Sequence, residues 1–355
     1  MMSLVLSSCG VFIPSQACTG ITLKAPSGSP VLARTIEWGG SDLHSGYVVV
    51  PRGYVQRSYV PGGVRGGLEF KSRYGYVGLT VEQEDFVAEG LNEAGLSAGL
   101  FYFPNYGGYE PYDSLRALTS IADLQLVPWL LSQFRTVDEA LVGLKKVHVI
   151  AIDPRASTVH WRIADQSGRQ VVVEIVDGRM QVYENKLGVL TNSPGFEWHL
   201  THLNNYVNLY PGSAPAQSLD SLTLCSFGAG SGFLGMPGDV TPPSRFVRAA
   251  FYQATSPRPT SARDAVLRCF QILNNFDIPV GIEFAEGKVP VDIPSATQWT
   301  SVVDPVSQML YFRTMYNSAI RMIDLRKIDF RRTPYRAVPL DSVKEQPVVE
   351  IEITN

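Results

Sequence analysis

The chain has 355 residues, a net charge of −3 and an apolar fraction of 45%, a composition typical of a globular protein. Its Lys and Arg residues are scattered, and a nucleic-acid surface needs concentrated positive charge, so a nucleic-acid partner is excluded. No apolar run after the first residues approaches the roughly 18 residues that span a bilayer, which argues against stable membrane insertion.

The chain begins with a segment that resembles an export leader. Residues 4–13 form a short apolar core, and Ser15 and Ala17 are the small residues that a signal peptidase needs, although no Lys or Arg precedes the core. One cut after Ala17, by a signal peptidase or by self-cleavage, would make Cys18 the mature N-terminus. We therefore expect residues 1–17 to be removed and the product to be exported to the periplasm.

A second way of processing this leader stays open. Residues 6–9, Leu-Ser-Ser-Cys, loosely resemble a lipoprotein site, and cleavage there would leave the protein anchored through a lipidated Cys9 with Cys18 internal. No linker, low-complexity run or fixed-period repeat divides the rest of the chain. Residues 18–355 are therefore expected to form one domain.

Predicted strands dominate the first third of the chain. Short β-branched or aromatic runs separated by Gly, Pro or Ser predict strands at 21–24, 31–38, 47–50 and 74–81. Helical signals cover 114–134, and a capping box of Thr136 and Glu139 predicts a helix through Lys146. Further strands are predicted at 147–152, 159–164, 171–176 and 188–191.

The last part of the chain alternates helices and strands in groups. Helices are predicted at 197–208, 241–253 and 261–275, the second beginning with Thr241 as a cap and Pro242 at the first helical position. Late strands are predicted at 301–303, 309–314 and 319–323. Because strand groups alternate with helix groups without regular βαβ order, the pattern favours an α+β fold, a four-layer αββα sandwich of two antiparallel sheets.

A new N-terminus at Cys18 would place two catalytic groups on one residue. An α-amino group, with a reference pKa of about 7.7 to 8.0, can act as general base to the thiol of the same residue. Cys9, Cys18, Cys225 and Cys269 show no paired metal spacing. Cys225 and Cys269 lie in apolar surroundings, which favours buried free thiols, while a disulfide between them stays open.

Several segments together have a recognisable order and spacing. They are Cys-Thr-Gly at 18–20, Arg-Thr-Ile-Glu-Trp at 34–38, Gly-Leu-Asn-Glu-Ala-Gly-Leu at 90–96, Thr-Asn-Ser-Pro at 191–194 and Ser-Arg-Phe-Val-Arg-Ala-Ala-Phe at 244–251. This set resembles the choloylglycine hydrolase family of the N-terminal nucleophile hydrolases, which contains the bile salt hydrolases and the penicillin V acylases. The resemblance runs through nearly the whole mature chain, and the set is specific although no single motif is.

The resemblance implies catalytic roles for three residues near the new N-terminus. Cys18 would attack an amide carbonyl and form an acyl-thioester that water hydrolyses, with its own amino group moving the proton. Arg34 would stabilise the thiolate. Glu37 stands where many relatives carry Asp and would hold the amino group, with a side chain one methylene longer.

The resemblance assigns the other site residues to later parts of the chain. Asn192 would donate its amide N–H to the oxyanion, and Tyr102 would complete that site through its backbone N–H. Arg245 would support the nucleophile from the start of a helix, whereas Arg248 is expected at a solvated position. Trp38 and the aromatic stretch at 101–112 suit an apolar acyl group, although core packing explains some of these rings equally well.

Three other motifs point to different chemistry. Ser97 lies in a Gly-x-Ser-x-Gly serine-hydrolase motif, but a turn precedes it and a strand-like run follows, the reverse of the required context. His199 and His202 share a helix face as metal ligands can, yet no third ligand is spaced to complete a site, so histidines on the helix surface are favoured. The Gly-rich segment 228–232 lacks the Lys of a phosphate loop.

The sequence therefore predicts a hydrolase of linear amide bonds that needs no cofactor or metal. Its substrate is a small-molecule amide with an apolar acyl group, and the segments around Asn192 and Arg245 favour penicillin V acylase-like or acyl-homoserine-lactone acylase-like activity. Bile salt hydrolysis is the close alternative, and a non-catalytic lipid-anchored binding protein is a remote one. The resemblance also implies a homotetramer.

Overall fold

The computed structural model describes residues 16–153 and 157–353, so Cys9 and most of the predicted leader lie outside the described residues. The strands of this part of the chain are, in order, β1 (Gln16–Lys24), β2 (Pro30–Trp38), β3 (Gly46–Val50), β4 (Val55–Arg57), β5 (Glu69–Lys71), β6 (Tyr76–Val81), β7 (Gln83–Asn92), β8 (Ser97–Tyr102), β9 (Ser120–Ala122), β10 (His148–Ile150), β11 (Val159–Ala164), β12 (Gln170–Val176), β13 (Arg179–Glu184), β14 (Gln217–Leu219), β15 (Leu222–Leu224), β16 (Thr297–Asp304), β17 (Met309–Thr314), β18 (Asn317–Asp324) and β19 (Arg336–Pro339). The α-helices are α1 (Leu126–Gln133), α2 (Val137–Leu144), α3 (Phe196–His202), α4 (Pro242–Thr255) and α5 (Ala262–Leu273).

Two large antiparallel sheets form the centre of the molecule. One has the strand order β1-β2-β16-β17-β18, and the other has the order β13-β12-β11-β8-β7-β6-β3-β19. Every residue of β6 and of β16 is buried, as expected for strands covered on both faces. The nucleophile strand β1 lies at an edge of the five-stranded sheet.

Helices cover the outer face of each sheet. Helices α4 and α5 pack on β1, β2 and β16, and α1 packs on β7 and β8. In α5 the buried residues Ala265, Val266, Cys269 and Phe270 recur at helical spacing, which gives one apolar stripe toward the sheet. This arrangement confirms the predicted αββα sandwich.

The predicted helical region at 114–134 is interrupted in the structure. A short 3-10 helix at Ser114–Thr119 ends in β9, which pairs in parallel with β10, and α1 begins only at Leu126. The Ser120 hydroxyl donates to the Arg116 carbonyl where the 3-10 helix ends, so the predicted helical signals hold for 114–119 and 123–133 but not for the three residues of β9. The Thr136 cap is confirmed, since its side chain accepts from the Glu139 N–H at the start of α2.

Segment 188–191 forms a single bridge instead of the predicted strand. The Gly20 N–H donates to the Leu190 carbonyl (2.7 Å), and the Leu190 N–H donates to the Gly20 carbonyl (3.1 Å). These two bonds place the residues that follow Leu190 beside β1, where Cys18 lies. No helix within residues 16–153 and 157–353 has the length and apolar character of a membrane span.

The described cysteines resolve the open disulfide alternative. Cys225 and Cys269 are both free. Cys269 is buried in α5, as expected of an apolar thiol, whereas Cys225 is exposed, so its predicted burial was wrong.

Candidate active site

The pairing of β1 with β2 brings Arg34 to Cys18. Gly20 lies directly across from Arg34, and Cys18 lies two residues earlier on the same face of β1. The Arg34 guanidinium Nη2 is 2.7 Å from the Cys18 Sγ, and its Nη1 donates to the Ala88 carbonyl (3.1 Å). The Phe101 ring lies 4.2 Å from the guanidinium carbon. Arg34 is fully buried, so the head group is fixed against the sulfur rather than solvated.

Opposing effects act on the Cys18 thiol. Burial is the largest effect and keeps its pKa above the ordinary value of a thiol, although the charge of Arg34 lowers it. The Glu37 carboxylate raises the pKa, and the Tyr102 backbone N–H, which faces the sulfur, lowers it. The site therefore supplies a cation and an N–H donor to a thiolate that the apolar surroundings alone would disfavour.

Asn192 is the central hydrogen-bonding residue of the site. Its Oδ1 accepts from the Cys18 backbone N–H (2.7 Å) and from Arg245 Nη2 (2.8 Å), and its Nδ2 donates to the Tyr102 carbonyl (2.7 Å). Arg245 Nη1 also donates to the Thr19 Oγ1 (2.8 Å), and its Nε donates to a carbonyl just before α4. A side-chain amide has two N–H donors, so one remains for an oxyanion.

The structure places Glu37 beside these residues without the contact that was predicted for it. Cys18 follows Ala17 in strand β1, so its nitrogen is a peptide N–H that donates to Asn192 rather than to Glu37. Both carboxylate oxygens of Glu37 are buried without a hydrogen bond of normal geometry, although the nearby Thr35 hydroxyl lowers the pKa of the carboxyl. Burial outweighs this effect and the charge of Arg245, and raises that pKa to about 8.

Tyr102 and Trp38 lie at two ends of the site. Tyr102 ends β8, with its backbone N–H toward the sulfur, its carbonyl bound to Asn192 and its side chain half-buried. Trp38 ends β2 across from Gln16, and its indole N–H donates to the Ser41 hydroxyl (3.0 Å). The structure thus brings Tyr102 into the Cys18 cluster, whereas the indole of Trp38 is bound to Ser41, three residues further along the chain.

Comparison with known proteins assigns this arrangement to a family. The family model described as linear amide C-N hydrolases, choloylglycine hydrolase family, matches residues 18–339. This chain belongs to that family. It is 30% identical to a bile salt hydrolase/transferase of Clostridium perfringens over 87% of its own length and 92% of the relative's. It is 26% identical to a penicillin V acylase of Pectobacterium atrosepticum, with 91% and 85% covered.

Solved structures agree with the family assignment. A mutant of the conjugated bile acid hydrolase of Clostridium perfringens superposes with a TM-score of 0.81 at 28% identity, covering 94% of this chain and 100% of that one. A penicillin V acylase of Agrobacterium tumefaciens has a TM-score of 0.73 at 23% identity, covering 91% and 92%, and so supports the fold. The choloylglycine hydrolase family assignment makes this protein an amide hydrolase with a cysteine nucleophile.

Within this hydrolase the serine motif has a structural role. Ser97 begins β8 in the interior of the eight-stranded sheet, where it is 1% exposed, and its hydroxyl lies 3.4 Å from the Glu89 carboxylate. A serine nucleophile would need an exposed turn between a strand and a helix. The structure therefore excludes the serine-hydrolase interpretation.

Two side chains differ from their predicted surface positions. His199 is fully buried and its Nε2 lies 2.9 Å from the Asn192 carbonyl, so it is not a surface histidine. Arg248 is also buried, and its Nη1 donates to the carbonyls of Pro237 (2.8 Å) and Asp239 (2.6 Å) in the segment that precedes α4. Among residues 16–153 and 157–353, no group of three or more His, Cys, Asp or Glu side chains is arranged to hold a metal ion.

Sequence reasoning missed a buried charge network behind Arg34. Glu89 accepts from Arg162 Nη2 (3.3 and 3.2 Å) and lies 3.9 Å from Arg34 Nη1. Glu89 and Arg162 are both buried, and burial lowers the pKa of the Arg162 guanidinium. A charged residue inside an otherwise apolar strand run was the available signal, because such a group needs a buried partner.

Proposed function

We propose that this family member hydrolyses the amide bond of conjugated bile salts. The observation that carries the proposal is similarity at 30–34% identity to proteins named bile salt hydrolase/transferase or conjugated bile acid hydrolase, from Clostridium, Lactiplantibacillus and Lactobacillus. The named penicillin V acylase is more distant, at 26%. These comparisons favour the alternative that the sequence left open over the penicillin V acylase-like prediction.

One observation favours a second candidate, an acylase of the penicillin V type or one acting on acyl-homoserine lactones. The backbone of Tyr102 contacts Cys18 and Asn192, so its half-buried aromatic side chain begins at the site, and Trp198 on α3, 45% exposed, follows six residues after Asn192. Aromatic side chains carried by segments that form the site suit a small aryl or alkyl acyl group. Because the same catalytic residues would serve either substrate, only a comparison of substrates separates the two candidates.

The catalytic steps follow from the contacts of Cys18. The thiolate held by Arg34 attacks the amide carbon, and the developing oxyanion accepts from the free N–H of Asn192 and from the Tyr102 N–H. The Cys18 α-amino group takes the thiol proton and passes it to the leaving amine as the carbon–nitrogen bond breaks, which leaves an acyl-thioester on Cys18. Water then adds to the thioester, and the carboxylic acid and the thiol are released.

Removal of residues 1–17 is part of this proposal, because the proton shuttle requires a free amine on Cys18. The start of the family match at residue 18 supports it. We further propose export to the periplasm as the route to this cut. Intact-mass analysis of the active protein should give Cys18 as the first residue, whereas a diacylated Cys9 with Cys18 internal would indicate a lipid-anchored protein instead.

The substrate proposal is tested with three amides and matched variants. Glycocholate, phenoxymethylpenicillin and a long-chain acyl-homoserine lactone are compared by kcat/KM, and we expect glycocholate to be the best substrate. Cys18→Ala should abolish turnover of every substrate, whereas Ser97→Ala should retain most of it. A preference of tenfold or more for either of the other amides would replace the bile salt proposal with the second candidate.

A further inference from the structure

Two buried histidines face the backbone that carries Asn192. His199 Nε2 lies 2.9 Å from the Asn192 carbonyl, and His160 Nε2 lies 3.1 Å from the Thr191 carbonyl. Both rings are fully buried. Since a carbonyl oxygen can only accept a hydrogen bond, each Nε2 carries a proton and donates it to this backbone.

The second nitrogen of each ring has a different environment. His199 Nδ1 is buried without a hydrogen-bond partner, and burial lowers the pKa of this histidine to about 4, so the ring is neutral at physiological pH. His160 Nδ1 lies 2.9 Å from Glu174 Oε1, which also accepts from the Phe196 N–H. His160 is therefore oriented from both sides of its ring.

Each histidine ring also stacks on an aromatic ring, and that aromatic residue directly follows a residue that is hydrogen-bonded to the Asn192 side chain. The centroids of the His160 and Phe103 rings are 4.5 Å apart and the two ring planes are inclined by 7°. Phe103 follows Tyr102 in the chain. The His199 ring lies 4.6 Å from the Phe246 ring at 8°, and Phe246 follows Arg245 in α4. Face-to-face stacking of buried rings fixes both their separation and their tilt.

These contacts form two closed loops that meet at Asn192. One loop runs from the Asn192 backbone through His199 and Phe246 to Arg245, which returns to the Asn192 Oδ1. The other runs from the Thr191 carbonyl through His160 and Phe103 to Tyr102, whose carbonyl accepts from the Asn192 Nδ2. The backbone and both ends of the amide are thus held relative to the same two rings.

We propose that His160 and His199 are positioning residues that orient the Asn192 amide for the oxyanion. Neither ring bonds to Cys18 in the described structure, and their effect passes through Asn192. The inference rests on the amide hydrolysis and on the Asn192 role given above. An amide donor misplaced by about 1 Å costs on the order of 100-fold in rate, and loss of one oxyanion donor costs about 100- to 1000-fold in kcat.

A double-mutant cycle on the best amide substrate tests this. His199→Phe should lower kcat about 10- to 100-fold with little change in KM, because an oriented donor acts in the transition state. In an Asn192→Ala background the same change should cause less than a twofold further loss, since the donor is already absent. His202→Phe, on the same helix but stacked on Trp198, is the matched control and should retain wild-type kcat.

Conservative variants keep the test decisive if His199→Phe does not fold. His199→Gln can place its amide nitrogen near the Nε2 position and should stay within about threefold of wild type, whereas the shorter His199→Asn should lose kcat as the Phe variant does. His160→Gln should likewise exceed His160→Leu in kcat. Thermal unfolding of each variant separates loss of kcat from loss of fold.

The outcomes distinguish this inference from the proposed function. Equal losses from His199→Phe with and without Asn192, or equal activities of the Gln and Asn variants, would overturn the positioning role while hydrolysis itself stands. Wild-type kcat in Asn192→Ala would overturn the oxyanion assignment and the inference together. A wild-type protein that hydrolyses none of the three amides would overturn the proposed substrates. NMR would then test the hydrogen bonds directly, because the Nε2–H protons of His160 and His199 are expected to be protected from exchange with solvent.

Discussion

The Cys18 thiol is placed where burial and positive charge compete. Apolar burial favours the neutral thiol, and Arg34 at 2.7 Å favours the thiolate. Behind Arg34, Glu89 balances part of the positive charge that Arg34 and Arg162 bring into the core. The pair of arginines therefore leaves about one positive charge for the sulfur to neutralise, which fits a nucleophile that must ionise.

Glu37 gives a prediction on stability at the residue scale. Its pKa is raised to about 8 in the folded chain from an ordinary 4.5, so between these values unfolding releases a proton and stability falls as pH rises. Glu37→Gln removes the titrating group, and with it this fall in stability between pH 4.5 and 8. In the uncut chain we expect the variant to gain stability over wild type between pH 4.5 and 8, by up to roughly 5 kcal/mol.

Urea unfolding of both proteins at pH 4, 6 and 8.5 measures the difference. Glu69→Gln, which changes an exposed carboxylate on β5, is the control and should not alter the pH profile. A Glu37→Gln difference that stays constant from pH 4 to 8.5 would show that folding does not raise the pKa of this carboxyl.

Individual site residues were predictable to the extent that they lie in short linear motifs. Cys18, Arg34, Asn192 and Arg245 were named from such motifs, and the structure brings all four within hydrogen-bonding distance of one another in a chain of contacts. The ion pair of Glu89 with Arg162 and the stacking of His199 on Phe246 could not be predicted in this way. In each pair the two residues are far apart in sequence, and only the packing of the sheets and of α4 brings them together.

At the scale of elements, strand β1 depends on a close approach at Gly20. A Cβ atom there would lie 2.9 Å from Phe101 Cζ and 3.2 Å from Arg162 Nη1. Since Phe101 lies against the Arg34 guanidinium, a displaced ring also disturbs the group that holds the Cys18 sulfur. The glycine thus couples the packing of the two sheets to the geometry of the site.

We predict that Gly20→Ala destabilises the protein by about 1 to 3 kcal/mol, the usual cost of overpacking a core, and lowers kcat. Thermal unfolding and steady-state kinetics measure the two effects. Gly238→Ala is the matched control, because nothing lies within 4 Å of the added Cβ. Unchanged stability of Gly20→Ala would mean that the sheets can separate at this point without cost.

Elements with strong local signals were predicted well, and elements decided by pairing were not. The Thr136 cap fixes the start of α2 locally. Strand β9, in contrast, is only three residues long and is stabilised by its pairing with β10, which the local sequence does not show. The apolar residues around it therefore gave a helical signal. Leu115 and Leu118, which that helix would have buried, are exposed in the structure.

At the scale of the whole molecule, one hairpin presents an apolar surface. Strands β14 and β15 expose Leu219 and Leu222 by more than half, and Phe227, just after β15, is fully exposed. A patch of this kind on a folded protein marks an interaction site. We propose that it joins subunits in the homotetramer that the sequence resemblance implies.

Light scattering on the purified protein tests the assembly. Phe227→Asp combined with Leu222→Asp should lower the measured mass below that of the tetramer, because burying two carboxylates in an apolar interface is costly. Leu115→Asp, at a leucine that is also exposed by more than half but lies outside the hairpin, should leave the mass unchanged. A monomeric wild type, or a double variant of full tetramer mass, would contradict the proposal.

The low exposure of Cys18, at 4%, has a consequence for when the protein becomes reactive. A buried sulfur in contact with the Arg34 guanidinium is poorly accessible to peroxide, glutathione or the thiol of another protein, and oxidation depends on access. Until the leader is cut, a precursor exported as we propose would therefore carry its nucleophilic thiol through an oxidising environment with little exposure to oxidants.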